Sequence, residues 1–442
     1  MRSEKIKRYL IMAMVGMLVL LAPLSYLRVL WAAGFLWQLD LENAFLGSHI
    51  FTDCDGTEIY NDGCLAEGVL ENLLGNEEYI DNALYNRYKS QMKVGGLNPL
   101  VGRNSLKGTT FKTTLMPVAY QQQIRDLYGE HDGAVFAYNY KTGEVYIAMS
   151  LPSGIGKGVR KGSMSNSCLN GYYVPASTMK IITTICALEQ NQDLAKFEFT
   201  CEKTYMLPDG NTINCHDYHG KLGLEDALGV SCNCYMAALI HQKMDEDAAK
   251  ETLARLGILA EGVKPVEDEL RGKMDALDYI TGNTVLTSFD NFQSVWGMVG
   301  QGKTRANPVY MTLAAAAVAN GGSAAQPYIM EGIYECGSKQ VYKADATEQI
   351  SFMDADTAKM VKMAWSLAVK DHYHNDEKPL SEKITLAKTG TAEEDMGIND
   401  RLLMGVMEEY TTAFYIVIVD SEDNNGLIFE AANLLAEAVG AM

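Results

Sequence analysis

Ser177 and Lys180 stand three residues apart in Pro175-Ala176-Ser177-Thr178-Met179-Lys180-Ile181-Ile182. A helix there puts both on one face, about one turn from each other. An amine is then within reach of a hydroxyl at a helix N-terminus, where the macrodipole favours developing negative charge. Serine is a weak nucleophile until a base takes its proton, and a lysine of lowered pKa can take it. Two further short patterns follow in order, Ser231-Cys232-Asn233 and Lys388-Thr389-Gly390-Thr391. If the three converge, the Lys388 ammonium and burial together lower the pKa of Lys180. Ser231 can then return a proton to a leaving amine, and Asn233 can hydrogen-bond Lys180 and a substrate amide. The backbone N–H groups of Ser177 and Thr391 would form an oxyanion hole, in which a single donor is worth about 10²–10³ in rate. The Thr389 and Thr391 hydroxyls, beside Gly390 and near Lys388, suit a terminal carboxylate. That chemistry is acyl transfer on a peptide with a free C-terminus, and it calls for no cofactor and no metal.

The chain carries its own decoys for these patterns. S-x-x-K recurs at Ser90–Lys93, in the charged segment Arg87-Tyr88-Lys89-Ser90 that runs into Gly95-Gly96, with no apolar continuation to bury it. Ser177, in contrast, is followed by Ile181, Ile182, Ile185 and Leu188, a core-facing helical stripe. K-T-G recurs at Lys141-Thr142-Gly143, where it fits a hairpin turn in which glycine supplies positive φ. Gly297-Met-Val-Gly-Gln-Gly-Lys-Thr304 matches the phosphate-cradling G-x-x-x-x-G-K-[ST] pattern. That chemistry needs a strand before the loop and a helix directly after it. The polar Ser288–Ser294 segment and Pro308 deny it both, so no nucleotide is expected there.

These residues need a scaffold. Gly133–Tyr138 and Glu144–Ser150 are apolar, β-rich runs around Asn139–Gly143, a hairpin signal. The middle reads helical, with Met179–Glu189, Leu224–Ala238 and Met311–Asn320, the last stopped by Gly321-Gly322. Strand patterns return at Ile384–Thr389, Leu402–Met407 and Thr411–Asp420, before a closing helix over Phe429–Val439. Two early strands and three late ones predict one antiparallel five-stranded sheet flanked by helices, an α+β architecture.

At the N-terminus, Arg2, Lys5, Lys7 and Arg8 form a basic tail (1–8) ahead of an apolar run from Tyr9 to Leu27. Nineteen helical residues rise about 28 Å, close to a bilayer core. The basic flank predicts a transmembrane anchor over 9–27 with a cytoplasmic N-terminus, and everything after Arg28 outside. A cleaved signal peptide is the rival reading; no clear small-x-small site supports it. Residues 28–108 read as a small pedestal or linker, and 109–442 as the catalytic domain. The chain is 48% hydrophobic and 21% charged, which excludes wholesale disorder. Its net charge of −19 argues against nucleic acid as a partner.

Nine cysteines leave at least one outside any intrachain pair. Cys201 and Cys215 bracket the turn Pro208-Asp209-Gly210, and Cys54 and Cys64 bracket another polar loop. Outside the membrane either pair could be a disulfide, with free buried thiols the alternative. The sequence holds no C-x-x-C, and Cys232-x-Cys234 on a helix would point its sulfurs to different faces, so no zinc site is expected.

The ordered triplet of motifs is that of penicillin-binding proteins and class A β-lactamases. Longer stretches resemble the transpeptidase domain of class B, monofunctional penicillin-binding proteins. They are Asp132–Ala137 through Tyr140–Ser153, His219-Gly220 ahead of Leu224–Leu228 and Ser231–Asn233, and Gly300-Gln301-Gly302 followed by Pro308 and Ala319–Gly322. The resemblance spans about Thr109 to Asp420. It implies a serine β-lactamase/transpeptidase-like fold and a peptidoglycan D,D-transpeptidase that cross-links stem peptides ending in D-Ala-D-Ala and is acylated by β-lactams. It also implies a membrane partner of the RodA/FtsW glycan polymerase class. Two departures stand out: Asn307 where threonine is usual before Pro308, and Arg401-Leu-Leu-Met-Gly405 without an aromatic pair before the glycine. A β-lactamase with a separate deacylating base, or a catalytically silent sensor or scaffold, are the alternatives. Glu225 and Asp226, near the second motif in sequence, fit the dipole of a helix start better than a deacylating role.

Overall fold

The computed structural model describes residues 49–61, 64–65, 109–151, 167–260, 279–335, 339–344, 348–373, 379–393, 399–421 and 425–442. The anchor predicted over 9–27, most of the 28–108 pedestal and the Ser90–Lys93 decoy lie outside these residues. Among the described residues no helix is long and apolar enough to cross a membrane.

The predicted five-stranded sheet is present. Its strands are β1 (Gly133–Asn139), β2 (Val145–Leu151), β3 (Leu386–Glu393), β4 (Asn399–Met407) and β5 (Thr412–Ile418). Their order is β3-β4-β5-β1-β2, antiparallel throughout. The Thr-Ala-Phe-Tyr-Ile-Val-Ile sequence of β5 is buried at every position. A continuous apolar run of that kind needs cover on both faces. Helices Pro308–Ala319 and Gly426–Ala441, both packed on β4 and β5, supply it. In the β1–β2 hairpin the Asn139 Oδ1 accepts from the N–H groups of Lys141 and Thr142 at 2.9 and 3.1 Å. Gly143 takes φ 84° there, so the first K-T-G is a turn.

A second sheet ties the early segment to the strands Met330–Glu335 and Lys339–Lys343. Its strand order is Lys339–Lys343, Met330–Glu335, Thr109–Thr113, His49–Thr52, Glu58–Asn61, Cys64–Leu65. Phe51 stacks on Phe111 at 4.6 Å, and Lys112 pairs with Glu331 at 2.9 Å across it.

The helices between β2 and β3 carry the first two motifs. The first, α1 (Met179–Gln190), is entered through a 3-10 turn, Ala176–Thr178. The apolar stripe predicted an amphipathic helix, yet every residue from Met179 to Leu188 is buried. It runs through the core, packed against Asn233–Lys243, Glu246–Arg255, Phe292–Val299 and Ala355–His372. Its buried hydroxyls are satisfied within the protein, Thr183 on the Met298 carbonyl and Thr184 on that of Lys180, as burial demands.

The helix predicted over Leu224–Ala238 is instead two, α2 (Leu224–Gly229) and α3 (Asn233–Lys243). The break falls on Val230-Ser231-Cys232, where Ser231 sits at φ 55°. A left-handed serine costs about 1–3 kcal/mol, a strain typical of functional turns. What the break achieves is chemical, because it aims both the carbonyl and the hydroxyl of Ser231 at Lys180.

Candidate active site

The nucleophile turn rests on two glycines. Ala176, just before Ser177, has φ 48°. A Cβ on Gly390 of β3 would lie 3.1–3.3 Å from Pro175 O, Ala176 Cβ and Thr178 Cγ2, so this glycine lets the turn seat on the strand. Gly300 is more demanding: it has φ 105°, and a Cβ there would stand 1.8 Å from Ala176 O and 2.6 Å from Met179 Cβ. Gly300→Ala is therefore expected to push the Ser177 turn out of place. Misplacement of about 1 Å costs roughly 10²-fold in rate. The second-order acylation rate with a fluorescent penicillin reads this, with melting temperature as the folding control. Gly302→Ala, whose Cβ would meet only Trp296 Cδ1 at 3.3 Å, should lose less. Equal losses would refute the steric account.

Lys180 is fully buried, and its Nζ reaches four oxygens. It donates to Ser177 Oγ at 2.9 Å, Ser231 O at 2.6 Å, Ser231 Oγ at 2.9 Å and Asn233 Oδ1 at 2.7 Å. Lys388, also fully buried, donates to the same Ser231 Oγ at 3.1 Å and to Thr389 O at 3.1 Å. Ser231 Oγ thus bridges the two amines. Burial pushes the Lys180 pKa well below the ordinary lysine range, and the Lys388 charge adds to the effect; Cys232, Cys215 and Cys234 oppose it. Burial alone lowers Lys388 to about 7. Two lysines of depressed pKa around one hydroxyl make a proton-transfer centre.

The third motif lies within β3 and not beyond a strand ending at Thr389, as the sequence suggested. Pairing explains this: Gly390–Glu393 continue the ladder opposite Asn399–Leu402 of β4, and among the described residues the other edge of β3 carries no strand. The strand is pinned by residues that the sequence reading gave no role. Trp365 Nε1 donates to Ala387 O at 2.7 Å, and the Tyr373 hydroxyl meets Thr389 Oγ1 at 2.9 Å and accepts from Thr389 N at 3.2 Å. Gln301 Nε2 donates to Thr391 O at 3.0 Å, joining the Gly300-Gln301-Gly302 segment to the strand. Arg401, directly opposite Thr391 in the register, donates to its Oγ1 at 2.7 Å and brings a guanidinium to the Lys388–Thr391 end.

All eight residues singled out from the sequence are accounted for. Lys180 touches Ser177, Ser231 and Asn233; Ser231 reaches Lys388; and Thr389, Gly390 and Thr391 follow along β3. Asn233 is itself anchored, donating from Nδ2 to Asn214 O at 3.0 Å. Asn307, the departure before Pro308, has a structural task. Its Oδ1 caps the Pro308–Ala319 helix by accepting from Val309 N at 2.9 Å, and its Nδ2 holds the Leu169 and Gly171 carbonyls at 2.8 and 3.1 Å. The phosphate-loop lookalike is a helix end. Gly297 lies within the helix Phe292–Val299, and Thr304 is buried, bonded to Gly297 O and Thr284 Oγ1. Cys201 and Cys215 are free thiols, as is Cys54. The side chain of Cys64 lies outside the described residues.

Comparison with known proteins follows the same lines. The family described as "Transpeptidase: Penicillin binding protein transpeptidase domain" matches residues 133–438. No curated protein matches the chain. Among solved structures, the D,D-transpeptidase domain of a peptidoglycan glycosyltransferase from Eggerthella lenta is 19% identical, with 90% of this chain and 99% of that one covered and a TM-score of 0.70. Penicillin-binding protein A from M. tuberculosis, solved as an imipenem acyl-enzyme complex, is 17% identical over 90% of this chain and 99% of that one, with a TM-score of 0.72. A putative peptidoglycan glycosyltransferase from Atopobium parvulum is 17% identical over 90% and 97%, with a TM-score of 0.66. At such identities the likeness is one of fold.

Proposed function

The chain belongs to the penicillin-binding protein transpeptidase family, and from that membership we propose a serine D,D-transpeptidase working on peptidoglycan stem peptides through Ser177. The observation that carries this reading is the contact of Lys180 Nζ with Ser177 Oγ, Ser231 Oγ and Asn233 Oδ1 at once.

The substrate backbone lies along the open edge of β3, and its terminal carboxylate meets Lys388 and the Thr389 and Thr391 hydroxyls, with Arg401 behind Thr391. Ser177 Oγ attacks the carbonyl before the last D-alanine while its proton passes to neutral Lys180. The new oxyanion takes hydrogen bonds from the N–H groups of Ser177 and Thr391. As the C–N bond breaks, Lys180 returns the proton through Ser231 to the departing amine, and D-alanine leaves. The amine of a second stem peptide then attacks the ester, giving up its proton along the reverse path. A β-lactam acylates the same serine, but its amine stays tethered and holds the site closed. In the cell we place this domain outside the membrane, on the 9–27 anchor and beside a RodA/FtsW-type polymerase that supplies the glycan strands; the basic flank and apolar run support this reading.

Deacylation by water separates this enzyme from a β-lactamase. Among the described residues no carboxylate hydrogen-bonds Ser177 or Lys180. Glu225 and Asp226 are exposed in the first turn of α2, where they serve its dipole. The acyl-enzyme formed with fluorescent penicillin should therefore persist for minutes or longer. Rapid multiple-turnover hydrolysis of a chromogenic cephalosporin would establish the β-lactamase reading instead.

A further inference from the structure

Beside the catalytic centre lies a cluster that the mechanism does not use. Cys201, Cys215, His219 and Cys232 place one ligand atom each within 4.8 Å of all the others. Two pairs are closer, Cys215 Sγ to Cys232 Sγ at 3.5 Å and Cys201 Sγ to His219 Nδ1 at 3.6 Å. A tetrahedral zinc with bonds of about 2.3 Å to sulfur and 2.0–2.1 Å to nitrogen sets its ligands roughly 3.5–3.8 Å apart. Two pairs are at that spacing and the rest lie within 4.8 Å, about 1 Å beyond it, a gap that side-chain movement would close. The two close sulfurs are far outside the bond length of a disulfide, about 2.05 Å.

From these four residues we infer a structural zinc site of the Cys₃His type. Soft thiolates with one imidazole, four donors and no open position select zinc over calcium or magnesium. The sequence argued against it because Cys232 and Cys234 would diverge on a helix. Cys232 is not on the helix: it is the residue capping α3, with ψ 115°, and its sulfur turns back to accept from Tyr235 N at 3.3 Å. Cys215 Sγ likewise accepts from Cys234 N at 3.3 Å. Backbone N–H groups aimed at sulfur favour thiolates and fix their direction, the outer-shell support that metal sites use. The Cys201, Cys215 and Cys232 side chains are buried, so hydrated ions are excluded and the ligands are held in place.

The site's position gives it a task. Cys201 ends the short strand Phe199–Cys201, Cys215 follows Thr212–Asn214, and His219 precedes Gly220–Leu222. Cys232 is the middle residue of the second motif. A bound zinc would clamp these strands onto the strained turn at Ser231, and would hold Asn214, whose carbonyl anchors Asn233. The metal would be a positioning element: none of its four ligands hydrogen-bonds Lys180 or Lys388.

The test uses the full-length chain, purified in detergent without chelator. Elemental analysis should find about one zinc per chain, and Cys201, Cys215 and Cys232 should react with an aromatic disulfide reagent only after the metal is stripped. Cobalt(II) added to the stripped protein should give the intense d–d bands of a tetrahedral thiolate site. Cys201→Ser should lower zinc content several-fold, and removal of zinc from the wild type should lower the melting temperature. A full-length chain with all these thiols reactive, or with a Cys215–Cys232 disulfide, and no cobalt bands after reduction would overturn the site. Because the cobalt spectrum is read on the wild type, a variant that fails to fold does not blunt the test.

Discussion

Ser177→Ala is expected to abolish covalent labelling by fluorescent penicillin while the protein still folds. The change removes only Oγ, and the turn that holds it is fixed by Gly300, Gly390 and the buried Ala176 and Thr178 side chains. Two hydroxyls lie within reach of Lys180, those of Ser177 and Ser231. Ser231 is the weaker nucleophile candidate, because its oxygen also accepts from Lys388 and its left-handed backbone holds it between the amines. Ser231→Ala should therefore slow acylation by about 10²–10⁴, the usual loss for a proton-transfer partner, yet leave the label on the peptide that carries Ser177. Mass spectrometry of the adduct separates the cases. Label retained by Ser177→Ala, or found on Ser231 or Ser90, would reassign the nucleophile.

Much of this was legible in the sequence, for physical reasons. Apolar, β-rich runs located β1, β2, β4 and β5, and the order of the motifs named the residues that the structure brings together around Lys180. Local pattern is enough where a segment's own residues decide its state. It failed where tertiary contacts decide. Leu224–Ala238 has unbroken helical character, but the chain breaks at Val230–Cys232, where left-handed Ser231 turns its carbonyl and hydroxyl to Lys180. The third motif ran on as strand past Thr389 because Arg401 and its neighbours pair with it across the sheet. Tyr373 and Trp365 carry no local signal, and Gln301 and Arg401 stood out only as parts of segments with no contact assigned, since each meets its partner on another element. Asn307, a departure from the usual threonine, is a cap plus a clamp on the Leu169 and Gly171 carbonyls. The cysteine cluster was missed for the same reason as the helix break: both turn on where Cys232 sits.

Lys180→Met should slow acylation by about 10²–10⁴, because methionine fills the space of the lysine stem but cannot take the serine proton. The pH profile then assigns roles to the two amines. For the second-order acylation rate the limbs report groups of the free enzyme. The rate rises as Lys180 loses its proton, and burial with the Lys388 charge sets that limb well below the ordinary lysine range. It falls as Lys388 loses its charge near pH 7, since a neutral amine no longer attracts the carboxylate. Lys388→Met should lower the rate and remove the descending limb, while Lys180→Met should remove the ascending one. Stability should move the other way. Lys388 has its pKa lowered from 10.5 to about 7, so between those values the unfolded chain binds more protons than the folded one. Folding stability from this group therefore rises with pH across that window, and below pH 7 its full burial cost is present, on the order of several kcal/mol. Lys388→Met, which buries no charge, should then melt higher than the wild type at pH 6 and show a smaller difference at pH 9. A variant that melts lower at both values would mean that Lys388 holds Ser231 and Thr389 more strongly than its burial costs. A descending limb that survives Lys388→Met would assign that titration to another group.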